Sequence, residues 1–410
     1  MKRSTDRILT THVGSLVRPP PIREVMKARA NNEPYDESVL GETLRDSVAE
    51  VVRKQADIGI DVPSDGEFGK LGWARYVMDR LGGLEPRRSG PKEKLHFGTS
   101  GDRETFADFY AALAPVEAYD WATPTEGQPA SLPRAGAGQG PMGWDCVGPV
   151  TYTGQHELDR DIANFKAALD GLNVAEAFMP VVAPMSVTEY NPAERNYYPS
   201  DEAYLYAVAD ALAVEYNAIV DAGFVLQVDD SLFPQIFSRD LGKKTLAEIR
   251  KFAELCVDAL NHALAGIAED RVRYHVCWAS NFGPHTYDAP LRDMVDIMLK
   301  VRAQAYSVEA ANSRHEHEWM VWGDVKLPDG KILIPGLVTH HTMIVEHPEL
   351  IAWRIENFAS LVGRENVIAS TDCGFAQSAT TVRVHPQIQW AKLTALREGA
   401  DLASAKLWKN

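Results

Sequence analysis

His275 and Cys277 stand two residues apart at the end of an apolar run, Val272-Arg-Tyr-His-Val-Cys277, and Cys373 closes a second run, Val367-Ile-Ala-Ser-Thr-Asp-Cys373. Alternate residues of a strand share a face, so an extended run points His275 and Cys277 the same way. One imidazole and two thiolates form a soft donor set that prefers zinc. Three or four such ligands with a replaceable position describe a catalytic zinc. A structural zinc would more typically draw paired cysteines from one Cys-x-x-Cys segment, whereas Cys277 and Cys373 lie on separate runs. The chain has four cysteines in all. Cys146, which precedes a strand, and Cys256, on a helix face with Phe252 and Leu260, read as packing residues.

The elements that must position these groups alternate along the chain. Short apolar runs are separated by stretches of helical period, which argues for an α/β fold with a parallel sheet. Candidate strands are Ile8–Ser15, Ile60–Ser64, Cys146–Tyr152, Phe178–Ala183, Phe224–Val228, Val272–Cys277, Ala305–Glu309, Ile332–Val338 and Val367–Thr371. The stretch Val39–Ile58 shows the helical spacing, with Leu40, Leu44, Val48, Val51 and Val52 three and four residues apart. Asp201–Ala222, Thr245–Ala268 and Pro386–Leu407 read the same way. The candidates outnumber by one the eight places of a closed barrel, and Phe178–Ala183 is expected to lie outside.

Ionisable or metal-binding residues follow most of these strands: Gly14-Ser15, Asp65-Gly-Glu67, Asp229-Asp230, His275 and Cys277, Glu309, His340-His341, and Asp372-Cys373. In an α/β barrel the carboxyl ends of the strands form the active-site face. Residues 84–145, rich in Gly, Pro and charge, break the alternation and read as an inserted subdomain or lid, since Trp121, Trp144 and Tyr119 call for burial. The chain is otherwise expected to be one domain over residues 1–410.

Bulk composition excludes some function classes. The 410 residues carry a net charge of −15 with 45% hydrophobic and 24% charged residues. A strongly acidic surface opposes phosphate backbones and anionic membranes, so no nucleic-acid or membrane partner is expected. No uncharged apolar run approaches the ~20 residues that span a bilayer, and Met-Lys-Arg at the start leads into no signal-peptide pattern. So few cysteines suit a reducing, cytoplasmic location.

Taken in order, Thr10-Thr-His-Val-Gly-Ser15, Asp65-Gly-Glu67, Gly148-Pro-Val-Thr151, Gln227-Val-Asp-Asp230, His275-Val-Cys277, Val308-Glu309, Gly336-Leu-Val and Ser370-Thr-Asp-Cys-Gly-Phe375 resemble the catalytic half of cobalamin-independent methionine synthase. They also resemble its single-barrel relatives, among them epoxyalkane:coenzyme M transferase. The resemblance runs nearly end to end. It implies a (β/α)8 TIM barrel with Zn2+ held by His275, Cys277, Glu309 and Cys373, where Glu309 enters by resemblance alone. It further implies that Gly14, Ser15, Glu67 and Asp229 hold the amino-acid part of a homocysteine-like thiol. His340 or His341 would protonate the leaving group, and Asp229 is counted with them among the catalytic candidates.

Zinc with two cysteinates keeps a bound sulfur nucleophilic, which predicts alkyl transfer to a thiol rather than hydrolysis by zinc-bound water. The expected partners are a small-molecule thiol and an alkyl donor, with folate, epoxide and corrinoid donors all open. A coenzyme M-like thiol would need cations near the zinc; Arg18, Arg75 and Arg314 are candidates. A metal-free lyase of the uroporphyrinogen decarboxylase kind shares the broader architecture, but the His-x-Cys…Glu…Cys set argues against it. His12, absent from the methionine synthase version of its motif, is a further candidate for the pocket. Arg314-His-Glu-His-Glu-Trp319 reads as a hydrogen-bonded scaffold behind Glu309 in preference to a second metal site.

Overall fold

Apolar runs that are buried on both faces pair into a parallel sheet, because such a sheet is covered on both sides. In the computed structural model this sheet holds seven strands in the order β1-β10-β9-β8-β7-β6-β4. They are β1 (Leu9–Thr10), β4 (Phe178–Val182), β6 (Val225–Asp229), β7 (Val272–Val276), β8 (Ala305–Val308), β9 (Ile332–Val338) and β10 (Ile368–Thr371). The structure describes all residues except 32, 89–99, 114–141, 191–192, 195–196, 241–242, 281–282, 380–383 and 410. Ile60–Ser64 contacts both edges of the sheet. Asp61 and Val62 donate to Thr10 O, and Phe178 N–H donates to Pro63 O.

A second sheet joins β2 (Leu81–Arg88), β3 (Met142–Tyr152) and β5 (Ala193–Glu194), with β2 and β3 antiparallel. This corrects one expectation. Phe178–Val182 lies within the parallel sheet, and Cys146–Tyr152 is the run that stands apart, in β3. The reason is burial. Every residue of β4 is buried, as a parallel strand covered on both faces requires, whereas β3 alternates buried Cys146 and Val150 with exposed Val147 and Thr151. That alternation belongs to a strand with one wet face.

The covering helices form where the apolar stripe and caps predict. Asp36 accepts from Ser38 and Val39 N–H to start the helix Glu37–Asp57, whose buried face is Leu40, Leu44, Val48, Val51, Val52 and Gln55. Each fully buried Leu or Val on such a stripe contributes about 1.5–3 kcal/mol. The helix Leu246–Ala263 opens on a capping box between Thr245 and Glu248. Among the described residues no helix is long and apolar enough to cross a membrane. Of the expected 84–145 insertion, helices Ser100–Thr105 and Ala107–Leu113 are described, and Trp144 is buried. Tyr119 and Trp121 lie outside the described residues.

Candidate metal centre

Parallel register sets Asp229, His275 and Ser307 side by side across β6, β7 and β8. His275 lies in β7, Cys277 just past its carboxyl end, and Cys373 two residues past β10. Donor atoms of His275, Cys277 and Cys373 lie within 4.8 Å of one another, and all three residues are buried. The two Sγ atoms are 3.7 Å apart. His275 Nδ1 faces Ser307 Oγ at 3.2 Å, and its Nε2 is buried with no hydrogen-bond partner among the described residues. Such an atom costs free energy unless something binds it. A proton on Nδ1, donated to Ser307, leaves the Nε2 lone pair for a metal. The Sγ–Sγ contact splits the thiols, Cys373 going well below the usual range and Cys277 well above it. One readily ionised thiol beside an orphaned imidazole nitrogen fits a soft divalent cation.

Glu309 follows β8 directly and is buried, but its oxygens are not among the grouped donor atoms. Its Oε1 accepts from Trp278 N–H at 3.3 Å and its Oε2 from Asn312 Nδ2 at 2.8 Å. Asn312 Nδ2 also reaches Asp372 Oδ2 at 3.2 Å, and Asp372 Oδ1 accepts from Ala310 and Ala311 N–H, each at 2.8 Å. One amide therefore braces two buried carboxylates. Burial, reinforced by Asp372, raises Glu309 well above the ordinary carboxylate range. Behind Trp278, the His315 ring stacks on the indole at 3.9 Å, with Nδ1 2.8 Å from Glu318 Oε2 and Nε2 3.3 Å from Asp288 Oδ2. The 314–319 stretch is thus a scaffold reaching Glu309 through Trp278, as expected, while His317 is exposed.

The binding candidates surround a second set of carboxylates. Glu67 is buried and adopts a left-handed backbone, φ 59°. A non-glycine residue there costs on the order of 1–3 kcal/mol, a strain that collects at functional sites. Gly14 lies against it: a Cβ at Gly14 would stand 2.9 Å from Glu67 Oε1. Ser15 packs on Gly374, so the turn also touches the segment carrying Cys373. Asp229 accepts from Gln227 Nε2 at 2.7 Å. Burial raises both carboxylates, and the charge of Glu67 pushes Asp229 further up. Lys70 Nζ is 3.8 Å from Glu67 Oε2 and donates to Pro180 O. Both carboxylates stay raised although Lys70 and Arg18 act on Glu67 and Arg273 on Asp229, so an added ammonium beside them is favourable.

His340 follows β9, is buried, and contributes to lowering the Cys373 thiol; His341 is half-buried, its ring 4.8 Å from that of His340. His12 is held within the frame of the site. Its Nε2 meets Gln55 Oε1 at 2.7 Å and its Nδ1 accepts from Gly14 N–H at 3.1 Å, so both ring nitrogens are committed to the frame. Arg18 is likewise committed, donating to the carbonyls of Glu67, Lys70 and Ala376. Arg314 is exposed and donates to Thr286 O at 3.3 Å. Sequence reasoning missed Lys70, Gln55, Arg273 and Asn312. Two carried a signal: Gln55 continues the apolar stripe of its helix, and Arg273 shares the face of His275 and Cys277.

No protein-family model matches the chain. It is 24% identical over 416 residues to the uncharacterised protein YxjH of Bacillus subtilis, covering 97% of this chain and 94% of that protein. It is 23% identical over 389 residues to a methionine synthase of Sulfolobus acidocaldarius, covering 94% and 91%. A solved B12-independent methionine synthase from Shewanella sp. W3-18-1, in complex with selenomethionine, superposes with a TM-score of 0.69 at 17% identity over 98% of this chain and 99% of that one. A putative vitamin-B12-independent methionine synthase from Listeria monocytogenes gives 0.64 at 18% identity, over 98% and 100%. At such identities the structural likeness speaks for the fold, and the relatives speak for descent. Over nearly its whole length the chain is similar to archaeal methionine synthases, and its fold is similar to that of solved B12-independent methionine synthases.

Proposed function

We propose that this protein is a zinc-dependent alkyltransferase with a thiol acceptor, methyl transfer to homocysteine or a similar amino-acid thiol being its leading form. The observation that carries the reading is the buried grouping of His275, Cys277 and Cys373 around the unpartnered His275 Nε2. Glu309, braced beside them, would complete the ligand set and yield its place to the entering sulfur. Bound there, zinc would lower a thiol's pKa and keep its sulfur nucleophilic.

The chain's own residues do the rest. Glu67 and Asp229 take the substrate ammonium, which relieves the cost of burying two carboxylates. The Gly14–Ser15 turn takes its carboxylate through backbone N–H groups. His340, buried on the Cys373 side, supplies the proton for the leaving group, with His341 as the outer member of the pair. Burial of the donors excludes water, which would otherwise compete for the alkyl group. The commitment of Arg18 to three carbonyls removes one cation that a sulfonate thiol would need.

We read the parallel strands, with Ile60–Ser64 as the eighth, as a closed (β/α)8 barrel of a cytoplasmic enzyme, and the 84–145 insertion as a lid. Asp102 of that insertion accepts from Thr286 N–H at 3.0 Å, on the loop beyond Cys277. The test is chemical: zinc-loaded protein is given homocysteine with a methylated folate, a methylated corrinoid or an epoxide, and the alkylated thiol is sought by mass spectrometry. S-alkylated homocysteine from one donor supports the proposal. Zinc-loaded protein that alkylates no thiol with any of them contradicts it.

A further inference from the structure

We propose that His12 is a positioning residue for the amino-acid end of the substrate, holding the Gly14–Ser15 turn against Glu67 through a network locked by Gln55. The inference rests on the reading of the cradle given above.

Gln55 is fixed first. Its Oε1 accepts from Ser64 N–H at 3.0 Å, while its Nε2 donates to Ser64 O at 2.8 Å and Val51 O at 3.1 Å. Reversing the amide would break all three, so Oε1 must face His12. The 2.7 Å contact then requires a proton on His12 Nε2. The other side of the ring agrees: Gly14 N–H can only donate, so Nδ1 must accept. The tautomer is set twice over. Burial also keeps the ring neutral, pushing its pKa down to about 4.

The residue links three elements that carry the site. Gln55 belongs to the helix Glu37–Asp57. Arg273, on the face of β7 that carries His275, donates to His12 O at 2.7 Å and Thr11 Oγ1 at 3.0 Å. The turn that His12 holds is laced to the Glu67 loop, with Ser64 Oγ donating to Gly14 O and Leu16 N–H to Gly66 O, both at 3.1 Å. Gly14 adopts φ 133°, and its contact with Glu67 leaves no slack, so a small drift of the turn changes the cradle. The metal donors sit on other strands, but Ser15 packs on Gly374 and Val13 clusters with Cys277 and Cys373, so cobalt stoichiometry is the control for an effect on the metal centre.

Replacing His12 should therefore separate amino-acid recognition from metal and sulfur binding. The test uses cobalt(II)-loaded protein, titrated with homocysteine and with 2-mercaptoethanol while the sulfur-to-cobalt absorption band is recorded. His12→Ala is expected to weaken homocysteine by about tenfold, the worth of one well-made hydrogen bond, with 2-mercaptoethanol and cobalt stoichiometry unchanged. His12→Asn places an oxygen where Nδ1 stood, restores the acceptor for Gly14 N–H, and should recover most of the loss. If His12→Ala does not fold, His12→Phe keeps a ring without nitrogens and takes its place under the same outcomes. Equal changes for both thiols, no change for either, or an Asn variant as weak as the Ala variant would overturn the assignment. Wild-type protein whose cobalt band no thiol perturbs would instead refute the thiol-binding reading of the metal centre.

Discussion

Asn312→Ala removes the brace between Glu309 and Asp372 without replacing an expected ligand. The side chain gives one donor group to two buried carboxylates, at 2.8 Å and 3.2 Å. A hydrogen bond is worth roughly 0.5–1.5 kcal/mol to a neutral group such as the raised Glu309 and roughly 1.5–3 kcal/mol to a charged one, so losing both would cost up to about 4.5 kcal/mol in a dry site. Asn312 is half-buried, so water replaces part of that, and a loss of about 2–3 kcal/mol in stability is expected. Loss of a group that orients a ligand typically lowers metal affinity by about 10–100-fold. Asp372 is already pushed up to about 6 by burial, and without its donor it holds its proton to still higher pH. Glu309 loses the same donor and also holds its proton more firmly; zinc competes with that proton, so the affinity deficit should be larger at pH 6 than at pH 8. Zinc competition against a chromophoric chelator at both pH values, with urea unfolding of the metal-free protein, measures all of this. Wild-type affinity together with a wild-type urea midpoint would refute the bracing argument.

Cys373→Ser should abolish alkyl transfer and strip most of the bound zinc, measured by metal analysis and product formation; retained activity would sink the proposed ligand set. Gly14→Ala forces a side chain into φ 133° and against Glu67 Oε1, so it should raise the homocysteine KM about tenfold or more with zinc content intact, read from initial rates. Asp230 is pushed up to about 6 by burial, so between its ordinary pKa and that value the unfolded chain binds fewer protons and stability falls as pH rises. Asp230→Asn removes this term, and its stability relative to wild type should improve by about 2.4 kcal/mol between pH 4 and pH 7. Urea unfolding at the two pH values tests it, and a constant difference between the proteins would count against the shift.

Much of the centre was legible because strand periodicity is strict. His275 and Cys277 share parity in one run and Cys373 ends another, so the soft donor set could be read before any packing was known. Glu309 could not be selected that way; the resemblance named it, and its place depends on Trp278 and Asn312 from flanking loops. Phe178–Ala183 is misplaced because the count of candidate strands says that one lies outside without saying which, whereas burial on both faces decides membership of the parallel sheet. His12 stands out in the sequence because the methionine synthase version of its motif lacks it. Its true partner, Gln55, is forty-three residues away, a tertiary contact that local pattern does not encode. The polar break in an apolar helical stripe was the available sign.

The central claim is an open metal position that accepts a substrate sulfur, and zinc K-edge X-ray absorption reads it directly. The zinc-loaded protein should show two sulfur neighbours from Cys277 and Cys373, and one more when homocysteine is added, as an oxygen neighbour is lost. A sulfur count that homocysteine leaves unchanged would mark the centre as closed and contradict the account.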